Sequence, residues 1–357
     1  MATYRLGVMY GDGIGPEVVQ AAVEVLTTAA ERLGTVKFNW VELPMGLSAI
    51  EKYGEAFPDI TKKALKNCDG WILGPNDGAA YAKEHQGKRT PSGELRHSYD
   101  LYANIRPSKT LPGIRNVVGE ADLVIVRENT EGFYTDKNMY VGNGEFMVTP
   151  ETALSVGVFT KPAIERIAHA AFRFAMERRQ HVTIVHKANV IKLGFGLFIK
   201  TCREVAEQYP QVKVDDYHVD AFAAQLVRRA GDFDVIVTEN MFGDILSDLA
   251  AELVGGLGLA YSINASENQA MAQAVHGSAP DIAGKNVANP VGEMLSAVML
   301  IDWLGTRHQD QSLHHLGQLV KTSILKALFD GVRTQDLGGD ASTIQFTEAV
   351  VQRILRS

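Results

Sequence analysis

Short runs of β-branched and apolar residues alternate along the chain with longer helix-like segments, and this alternation restricts the fold more than any other feature. Strand-like runs at 4–10, 36–43 and 70–74 are separated by helical patterns at 16–33 and 60–67. The alternation resumes after residue 162, and helical patterns at 291–305, 312–329 and 342–356 close the chain. Such alternation is typical of an α/β fold, in which helices cover the faces of a sheet.

The pattern changes between residues 121 and 160. The segments ADLVIVRE, GFYTDKNMY, EFMVTPE and LSVGVFT follow one another closely, with glycines between them. This spacing predicts hairpins or a protruding β-arm, an element that often serves dimerisation. No Pro- or Ser-rich linker interrupts the chain. The composition therefore marks no boundary between domains.

The composition excludes several functions. The 357-residue chain is 46% hydrophobic, which is enough for a well-buried core. Its 35 basic and 42 acidic residues give 35 − 42 = −7, so neither nucleic acid nor an anionic membrane is attracted in general. No uncharged apolar stretch approaches the roughly 18 residues that span a bilayer. An anionic ligand must therefore meet a local cluster of basic side chains.

The cysteines and the first residues favour a cytoplasmic location. Cys68 and Cys202 are far apart and have no CxxC or histidine-rich partner, which disfavours both a disulfide framework and a zinc site. The segment MATYRLGVMYGDG runs directly into a strand-like pattern and leaves no room for a secretory signal. We therefore expect a protein of a reducing, cytoplasmic compartment.

The glycine motif GDGIGPE at residues 11–17 joins the first predicted strand to a helix that should begin near Pro16. Backbone amides at such a junction can bind a nucleotide phosphate. Gly11, Gly13 and Gly15 are spaced G-x-G-x-G, however, and the dinucleotide-binding fingerprint is G-x-G-x-x-G. A structural turn and a ligand-binding loop both remain open.

Three arginines stand in polar contexts: Arg96 in SGELRHSYD, Arg106 in ANIRPSK and Arg127 in IVRENTEG. Arg106 and Arg127 each close a strand-like run, and strand ends line the ligand crevices of α/β sheets. A guanidinium binds a carboxylate through two hydrogen bonds, so a substrate with several carboxylates needs several converging arginines. A single arginine of this kind is more often a surface charge, and the prediction depends on all three.

Three aspartates predict a divalent metal site. Asp244 and Asp248 lie four residues apart near the start of a predicted helix and therefore on one face of it, and Asp220 heads another predicted helix. Carboxylate oxygens suit Mg²⁺ or Mn²⁺. An aspartate at a helix start can simply be an N-cap, but a second acid one turn later is unfavourable without a cation.

Two side chains are candidates for proton transfer. Lys187 ends the strand-like run HVTIVHK, and a metal close to a lysine can lower its pKa until it accepts a proton. Tyr134 follows Arg127 by seven residues and is a candidate acid. Neither residue is diagnostic by itself.

Seven motifs together resemble the β-decarboxylating dehydrogenases, the family of isocitrate, isopropylmalate, homoisocitrate, tartrate and D-malate dehydrogenases. They are GDGIGPE, LR followed by DLYANIRP, VRENTEGFY, HKANV, VDAFA, NMFGDILSDLAA and HGSAPDIAGKNVANP. They occur in the family's order and with its spacing, nearly from one end of the chain to the other.

The resemblance assigns binding roles to the polar residues. The substrate carboxylates would be bound by Arg96, Arg106 and Arg127. Mg²⁺ or Mn²⁺ would be bound by Asp244 and Asp248 together with Asp220 of the partner subunit. Sites completed by a second copy imply an obligate homodimer with shared active sites.

The resemblance also implies a reaction. Lys187, again of the partner subunit, would take the hydroxyl proton while hydride leaves C2 for the nicotinamide. The metal would act as a Lewis acid on the new carbonyl and stabilise the enolate formed as CO₂ departs. Tyr134 would assist protonation at C3. The expected partner is thus a small hydroxy-di- or tricarboxylate, with no nucleic acid and no membrane.

The implied architecture is a two-domain α/β fold with a β-arm, distinct from a Rossmann fold. Residues 1–101 plus 255–357 would form a large cofactor-binding domain. Residues 102–254 would form a small domain with the metal and substrate residues and the dimerisation arm. Closure of the two domains would sequester the substrate.

The resemblance points to NAD as the cofactor. Its binding residues would be Asn189, His276, Gly277, Ser278, Ala279, Asp281, Ile282 and Asn289. A carboxylate at Asp281 accepts hydrogen bonds from ribose hydroxyls and repels a 2′-phosphate, which disfavours NADP. NADP-using members resemble one another in having Lys-Tyr where this chain has Asp281-Ile282. One departure is Gln273, where the family usually carries Glu.

The substituent at C3 would be read by residues 88–95, KRTPSGEL. Isopropylmalate enzymes tend to have two leucines where this chain has Ser92 and Gly93. The hydroxyls of Thr90 and Ser92, together with Arg89, suit a polar substituent better, as in isocitrate or homoisocitrate. Isopropylmalate, tartrate and D-malate remain open, because a loop rich in Gly, Pro and Ser is difficult to position.

The main alternative of another class is a noncatalytic regulatory subunit, since heteromeric isocitrate dehydrogenases contain such members. Those tend to lose the catalytic tyrosine, the lysine or the metal-binding acids, and this chain keeps all of them. A binding module that uses only the glycine motif fits the complete set of arginines and acids even less well.

Overall fold

A computed structural model describes residues 1–85, 89–134 and 144–357 of the chain. The strands in these residues are β1 Ala2–Met9, β2 Val36–Glu42, β3 Gly70–Leu73, β4 Ala103–Lys109, β5 Asp122–Glu128, β6 Glu145–Thr149, β7 Thr152–Ser155, β8 His181–His186, β9 Lys213–His218, β10 Val235–Thr238, β11 Ile263–Ala265 and β12 Ala270–Ala272. The α-helices are α1 Gly15–Leu33, α2 Leu47–Tyr53, α3 Asp59–Leu65, α4 Pro91–Ser98, α5 Lys161–Met176, α6 Gly194–Ala206, α7 Val219–Arg229, α8 Asn240–Val254, α9 Val291–His308, α10 Gln311–Phe329 and α11 Thr343–Arg356.

Ten of the strands form one mixed sheet in the order β2-β1-β3-β12-β11-β4-β5-β10-β8-β9. The strands at both ends of this order pair in parallel, whereas β12, β11, β4 and β5 pair antiparallel in the middle. The antiparallel centre distinguishes the sheet from the parallel sheet of a Rossmann fold. The predicted α/β fold, distinct from a Rossmann fold, is confirmed.

Both ends of the chain contribute to the same hydrophobic core. One cluster of buried side chains joins β1 and α1 with α9, α10 and α11. A second cluster, among the described residues, takes its side chains from the middle of the chain, between Tyr102 and Val254. A third, smaller cluster surrounds Trp71 and Leu95. The division into 1–101 plus 255–357 and 102–254 stays a prediction.

The first helix shows why the local sequence folds as it does. Pro16 lies in the first turn of α1, where its missing N–H costs nothing. Apolar residues recur on one side of α1 and are buried, which attaches the helix to the sheet. The helix ends at Gly34, whose positive φ of 64° suits glycine. The predicted helix start is therefore confirmed.

The predicted β-arm is partly within the described residues. Strands β6 and β7 pair antiparallel as a separate two-stranded sheet. Most of GFYTDKNMY, residues 135–140, lies outside the described residues. The segment ADLVIVRE was predicted to belong to these hairpins or to the arm; it does pair antiparallel with the preceding strand, but it is not part of the arm. It forms β5, which pairs with β4 and β10 and is buried in the main sheet. Its unbroken apolar run is the pattern of a strand covered on both faces.

Among the residues that the structure describes, no helix is long and apolar enough to cross a membrane. Cys68 and Cys202 are both buried and unpaired by disulfide.

Candidate active site

The three predicted arginines converge around one carboxylate. Arg106 on β4 and Arg127 on β5 lie on neighbouring strands, and Asp244 projects toward them from α8. Asp244 Oδ1 accepts a hydrogen bond from Arg127 Nη1 and lies 3.2 Å from Arg106 Nη1. Asp248, one turn further along α8, lies 3.6 Å from the same nitrogen of Arg106. The three arginines and two of the three predicted acids, Asp244 and Asp248, thus form one cluster.

Burial and neighbouring charges shift the pKa values of two arginines and two aspartates in this cluster. Burial, and then the like charges of neighbouring arginines, lower the pKa of Arg96 to about 9 and that of Arg106 to about 10. Burial raises the pKa of Asp244, but Arg127 and Arg106 outweigh it and hold that pKa below its usual range. Guanidiniums that depress one another's pKa favour the entry of an anion.

Asp248 behaves in the opposite way. Burial raises its pKa more than Arg106 lowers it, and the like charge of Asp244 adds to the rise. A metal cation near Asp244 and Asp248 would relieve the repulsion between their carboxylates. The donor chemistry therefore fits Mg²⁺ or Mn²⁺, both of which prefer carboxylate oxygens.

Several residues that seat the arginines were missed by the sequence analysis. Asn240 Oδ1 accepts from Arg127 Nε at 3.0 Å and from its Nη2 at 2.6 Å. Ser247 Oγ accepts from Arg106 Nη1 at 2.7 Å, and Asn104 Oδ1 accepts from its Nε. Asn240, Asp244 and Ser247 are spaced at helical intervals in NMFGDILSD, so a helical-face analysis of that motif could have found them.

Gly243 was also missed. A Cβ atom built on Gly243 would lie only 2.6 Å from Cγ of Arg127. The side chain of Arg127 is almost completely buried, with 1% of its surface exposed. Glycine at this position therefore gives Arg127 the space to pass across α8.

Arg96 reaches the site from α4. Its Nη2 donates to Gln273 Oε1 at 3.1 Å, and its buried Nε has no hydrogen-bond partner among the described residues. This contact joins residues 177 positions apart in sequence, so no local pattern could predict it. Gln273, noted above as a departure from the family, is thus a neighbour of a predicted substrate-binding residue.

Tyr134 lies on the same cluster. Its hydroxyl donates to Asp244 Oδ2 at 2.9 Å, and Arg127 lies over its ring at 5.6 Å. Burial and the Asp244 carboxylate raise the pKa of Tyr134 to about 12. The phenol therefore keeps its proton at neutral pH and has one to donate.

Lys187 and Asp220 form a separate pair. Lys187 follows β8 directly, and its Nζ lies 2.5 Å from Oδ1 of Asp220 at the start of α7. Among the described residues, no hydrogen bond or ion pair joins either residue to the arginine cluster. Residues 1–85, 89–134 and 144–357 contain no group of three His, Cys, Asp or Glu side chains that could hold a metal ion. One chain thus brings together two of the three predicted metal ligands.

The glycine motif contacts the predicted cofactor segment. Ile14 N donates to Ser278 O at 2.8 Å, and a Cβ atom on Gly13 would lie 1.9 Å from the same oxygen. Ser278 Oγ donates to Asp77 at 3.0 Å. The motif has a structural role as well: Asp12 accepts from the amides of Leu47 at 2.7 Å and Asp77 at 2.9 Å. The motif is therefore hydrogen-bonded to the three segments that contain Leu47, Asp77 and Ser278.

The predicted cofactor residues differ in their present contacts. His276 Nε2 is buried without a hydrogen-bond partner among the described residues, and burial lowers its pKa. A Cβ atom on Gly277 would meet nothing within 4 Å. Asn289 already binds Asp336 at 2.9 Å through Nδ2 and the amide of Val291 through Oδ1.

The rest of the predicted segment is accessible at its centre. Asp281 is exposed, Ile282 is half-buried, and Ala279 has a positive φ of 39°. Asn189 is exposed in the turn after β8. A buried donor or acceptor without a partner beside an accessible loop fits a ligand with polar groups, as a dinucleotide has.

The loop predicted to read the substrate becomes α4. Ser92 and Gly93 lie four and three residues before Arg96 and share its face of the helix. Ser92 N donates to Asn76 Oδ1 at 3.1 Å, and Thr90 Oγ1 caps the helix by accepting from Gly93 N at 3.2 Å.

Arg89 contacts a different part of α4. It lies 3.6 Å from Glu94 and 3.1 Å from His97 Nδ1. Arg89 and Glu94 also border a cleft of about 1110 Å³ whose lining includes Thr90 and none of the three clustered arginines. Lys88 lies outside the described residues.

The chain is similar to known dehydrogenases over almost its whole length. The family profile described as isocitrate/isopropylmalate dehydrogenase matches residues 5–350. The chain is 44% identical over 355 residues to the isocitrate/homoisocitrate dehydrogenase of Thermus thermophilus, covering 98% of both. It is 38% identical over 355 residues to the 3-isopropylmalate dehydrogenase of Methanothermobacter thermautotrophicus, covering 99% of both. The crystal structure of isocitrate dehydrogenase from Methylococcus capsulatus aligns with a TM-score of 0.88 at 36% identity, over 99% of both chains.

The fold and the site define a dehydrogenase of the oxidatively decarboxylating class. More particularly, the chain belongs to the isocitrate/isopropylmalate dehydrogenase family. The predicted resemblance is therefore confirmed, and use of NAD and a divalent metal is typical of this family. The relatives' names divide between isocitrate, homoisocitrate and isopropylmalate, so they do not decide the substrate.

Proposed function

We propose that this dehydrogenase oxidises and decarboxylates isocitrate or homoisocitrate, with NAD as hydride acceptor and Mg²⁺ or Mn²⁺ as the metal. The observation that carries the proposal is the convergence of Arg96, Arg106 and Arg127 on paired aspartates. Arg106 and Arg127 are held by buried polar side chains, so little side-chain entropy is lost when they bind a carboxylate. Three such groups suit a substrate with two or three carboxylates.

The face of α4 next to Arg96 supports a polar substituent at C3. Ser92 contributes a hydroxyl and Gly93 leaves space, and Asn76 lies within hydrogen-bond distance of the Ser92 amide. A polar substituent could form a further hydrogen bond with the Ser92 hydroxyl, whereas a branched apolar substituent could not. Arg89 supports the proposal less than expected, because it contacts Glu94 and His97.

The metal and the cofactor have fitting residues. Asp244 and Asp248, with Asp220 of the partner subunit, would hold the cation, which supplies Lewis-acid stabilisation of negative charge on the oxygen at C2. Residues 276–282 with Asn289 and Asn189 would hold NAD, with His276 Nε2 available for a hydrogen bond.

The protein groups would then move two protons. Lys187 would accept the proton of the C2 hydroxyl, and bound NAD would supply the acceptor for the hydride that C2 loses, which leaves a 2-oxo acid. The bond from C3 to its carboxylate breaks, CO₂ departs, and the electron pair remains as an enolate. Tyr134 donates its proton to C3, consistent with a pKa of about 12. Arg96, Arg106 and Arg127 hold the remaining carboxylates throughout.

A homodimer with shared sites accounts for the isolation of Lys187 and Asp220 from the arginine cluster. Large apolar side chains are exposed on the β6–β7 hairpin, in the turn after β8 and on α8: Phe146, Met147, Leu154, Val190, Leu193 and Ile245. Exposed apolar side chains in such number mark interaction surfaces. We propose that a second copy covers them. The two unpaired, buried cysteines suit the cytoplasm.

The test is NAD reduction, with Mg²⁺ or Mn²⁺, against isocitrate, homoisocitrate, 3-isopropylmalate, D-malate and tartrate. A chelator and NADP serve as controls. Rapid turnover of a tricarboxylate with 3-isopropylmalate inert is the expected result. A preference for 3-isopropylmalate would refute the interpretation of α4 and leave the reaction class unchanged.

A further inference from the structure

We infer that His186 is a positioning residue that holds the backbone on both sides of Lys187 and thereby aims the lysine side chain. His186 is the last residue of β8, and only 3% of its surface is exposed. Its Nδ1 lies 3.1 Å from the amide nitrogen of Ala188, and its Nε2 lies 3.0 Å from Oδ2 of Asp216. The inference rests on the proposed role of Lys187 as proton acceptor.

The partners of His186 assign its tautomer. A backbone N–H can only donate, so Nδ1 must accept from Ala188. The ring proton is then on Nε2 and points to Asp216, which is an acceptor. A neutral imidazole satisfies both partners at once, and the Nδ1–H tautomer would satisfy neither.

The hydrogen bond to Ala188 closes a ring that contains the backbone of Lys187. Lys187 O then accepts from the amides of Val190 and Ile191, each at 3.0 Å, so the chain turns directly after β8. The side chain of Lys187 leaves the backbone at this turn, and its Nζ lies 2.5 Å from Asp220 Oδ1. A change in the turn would move the amine, because a long side chain amplifies a small backbone rotation.

Asp216 and Arg203 hold the imidazole in turn. Asp216 lies on β9 beside β8, and its other oxygen accepts from Arg203 of α6. Burial raises the pKa of Asp216, but the hydrogen bonds from His186 and Arg203 outweigh burial and lower it, so the carboxylate stays charged. The ring of His218 packs edge-on against His186, with centroids 5.2 Å apart. The imidazole is thus fixed on each side.

A merely structural histidine–aspartate pair is the alternative, and the chain contains a matched control for it. His181, at the other end of β8, binds Asp215 of β9 at 3.0 Å through Nε2. It makes the same kind of cross-strand contact, five residues before His186 in the sequence. A contact that only joined β8 to β9 would matter equally at both ends.

Two substitutions separate the two contacts of His186. His186→Asn places Oδ1 near the position of Nδ1 and can still accept from Ala188, whereas His186→Gln keeps a donor for Asp216 and loses that acceptor. We expect His186→Gln to lower kcat about ten- to a hundredfold with little change in the substrate KM. His186→Asn should keep kcat within a few-fold of the wild type, and His181→Asn, which likewise loses the contact with its aspartate, should leave kcat unchanged.

The outcomes distinguish this inference from the proposed function. Equal kcat in the wild type and His186→Gln overturns the inference, and so does a loss in both His186 variants that follows their melting temperatures. Lys187→Met tests the proposed role itself, because an active Lys187→Met enzyme refutes that role whatever His186 does. ¹⁵N NMR of the wild type needs no variant to fold: the Nε2–H tautomer is expected for His186, and the Nδ1–H tautomer overturns the inference.

Discussion

Each residue of the site is held by contacts with residues that are far from it in the sequence. Asp244 contacts Arg106, Arg127 and Tyr134. Arg106 and Asp244 are 138 positions apart in the chain. Asp244 partly neutralises guanidiniums that would otherwise repel one another. A substrate carboxylate that enters competes with Asp244 for these partners and leaves Asp244 available to a cation. Substrate and metal binding should therefore support each other.

Gly243→Ala tests how Arg127 is seated. The added methyl group would lie 2.6 Å from Arg127 Cγ, so the arginine must move away from Asn240. We expect the substrate KM to rise about tenfold or more and the protein to lose roughly 1–3 kcal/mol of stability by overpacking. Gly196→Ala in α6 is the control, because a Cβ there meets nothing within 4 Å. Steady-state kinetics and thermal unfolding measure both, and an unchanged KM in Gly243→Ala would contradict the prediction.

Asp281 should decide the choice of cofactor. Its exposed carboxylate would repel the 2′-phosphate of NADP and accept hydrogen bonds from the ribose of NAD. We expect Asp281→Lys combined with Ile282→Tyr to reverse the preference for NAD, and Asp281→Asn to weaken it by about tenfold through loss of the charge alone. The ratio of kcat/KM for the two cofactors is the measurement. A ratio that stays at the wild-type value in both variants would show that another residue contacts the 2′ position.

At the scale of elements, α8 shows what a sequence can predict. Its functional residues share one motif, and helical periodicity alone places Asp244 and Asp248 on one face. The pairing of Arg96 with Gln273 could not be predicted in this way, because it joins a residue of α4 to one 177 positions later that directly follows β12. The role of β5 was misjudged for a related reason: an apolar run gives no information about its strand partners.

Glu293 of α9 makes the stability of this fold depend on pH. Its side chain is completely buried, Oε2 accepts from Ala274 N at 2.8 Å, and Oε1 has no partner among the described residues. Burial raises the pKa of Glu293 from 4.5 to about 8. Between these values the folded state keeps a proton that the unfolded state has released, so this group's contribution to stability falls as pH rises.

Glu293→Gln should remove that dependence. The amide oxygen can still accept from Ala274, and the group does not ionise. We expect the variant's free energy of unfolding to exceed that of the wild type increasingly from pH 4.5 to 8, by a few kcal/mol in total at about 1.4 kcal/mol per pKa unit. Urea denaturation at a series of pH values measures the difference. Glu348→Gln, at an exposed position of α11, is the control; parallel curves for Glu293→Gln and the wild type would contradict the prediction.

At the scale of the whole molecule, the order of elements along the chain differs from their order in space. The first and last segments share one core, and the middle segment has another. The sheet is nevertheless continuous, since β11 and β12 from the later part pair with β4 and β3. The strand patterns in the sequence do not specify the order in which strands pair, so this strand order could not be predicted from them.

The separation of Lys187 from the arginine cluster leads to a prediction about assembly. Suppose that each site takes its arginines from one copy and Lys187 from the other; then Arg96→Met and Lys187→Met homodimers are both inactive. A heterodimer of the two has one intact site, in which Arg96 of the second variant faces Lys187 of the first. Random reassociation of equal amounts should therefore restore about a quarter of wild-type activity. Mixing after dissociation and assaying NAD reduction tests this, with Arg96→Met remixed with itself as the control. If the mixture remains as inactive as its parents although heterodimers form, each chain must supply its own lysine.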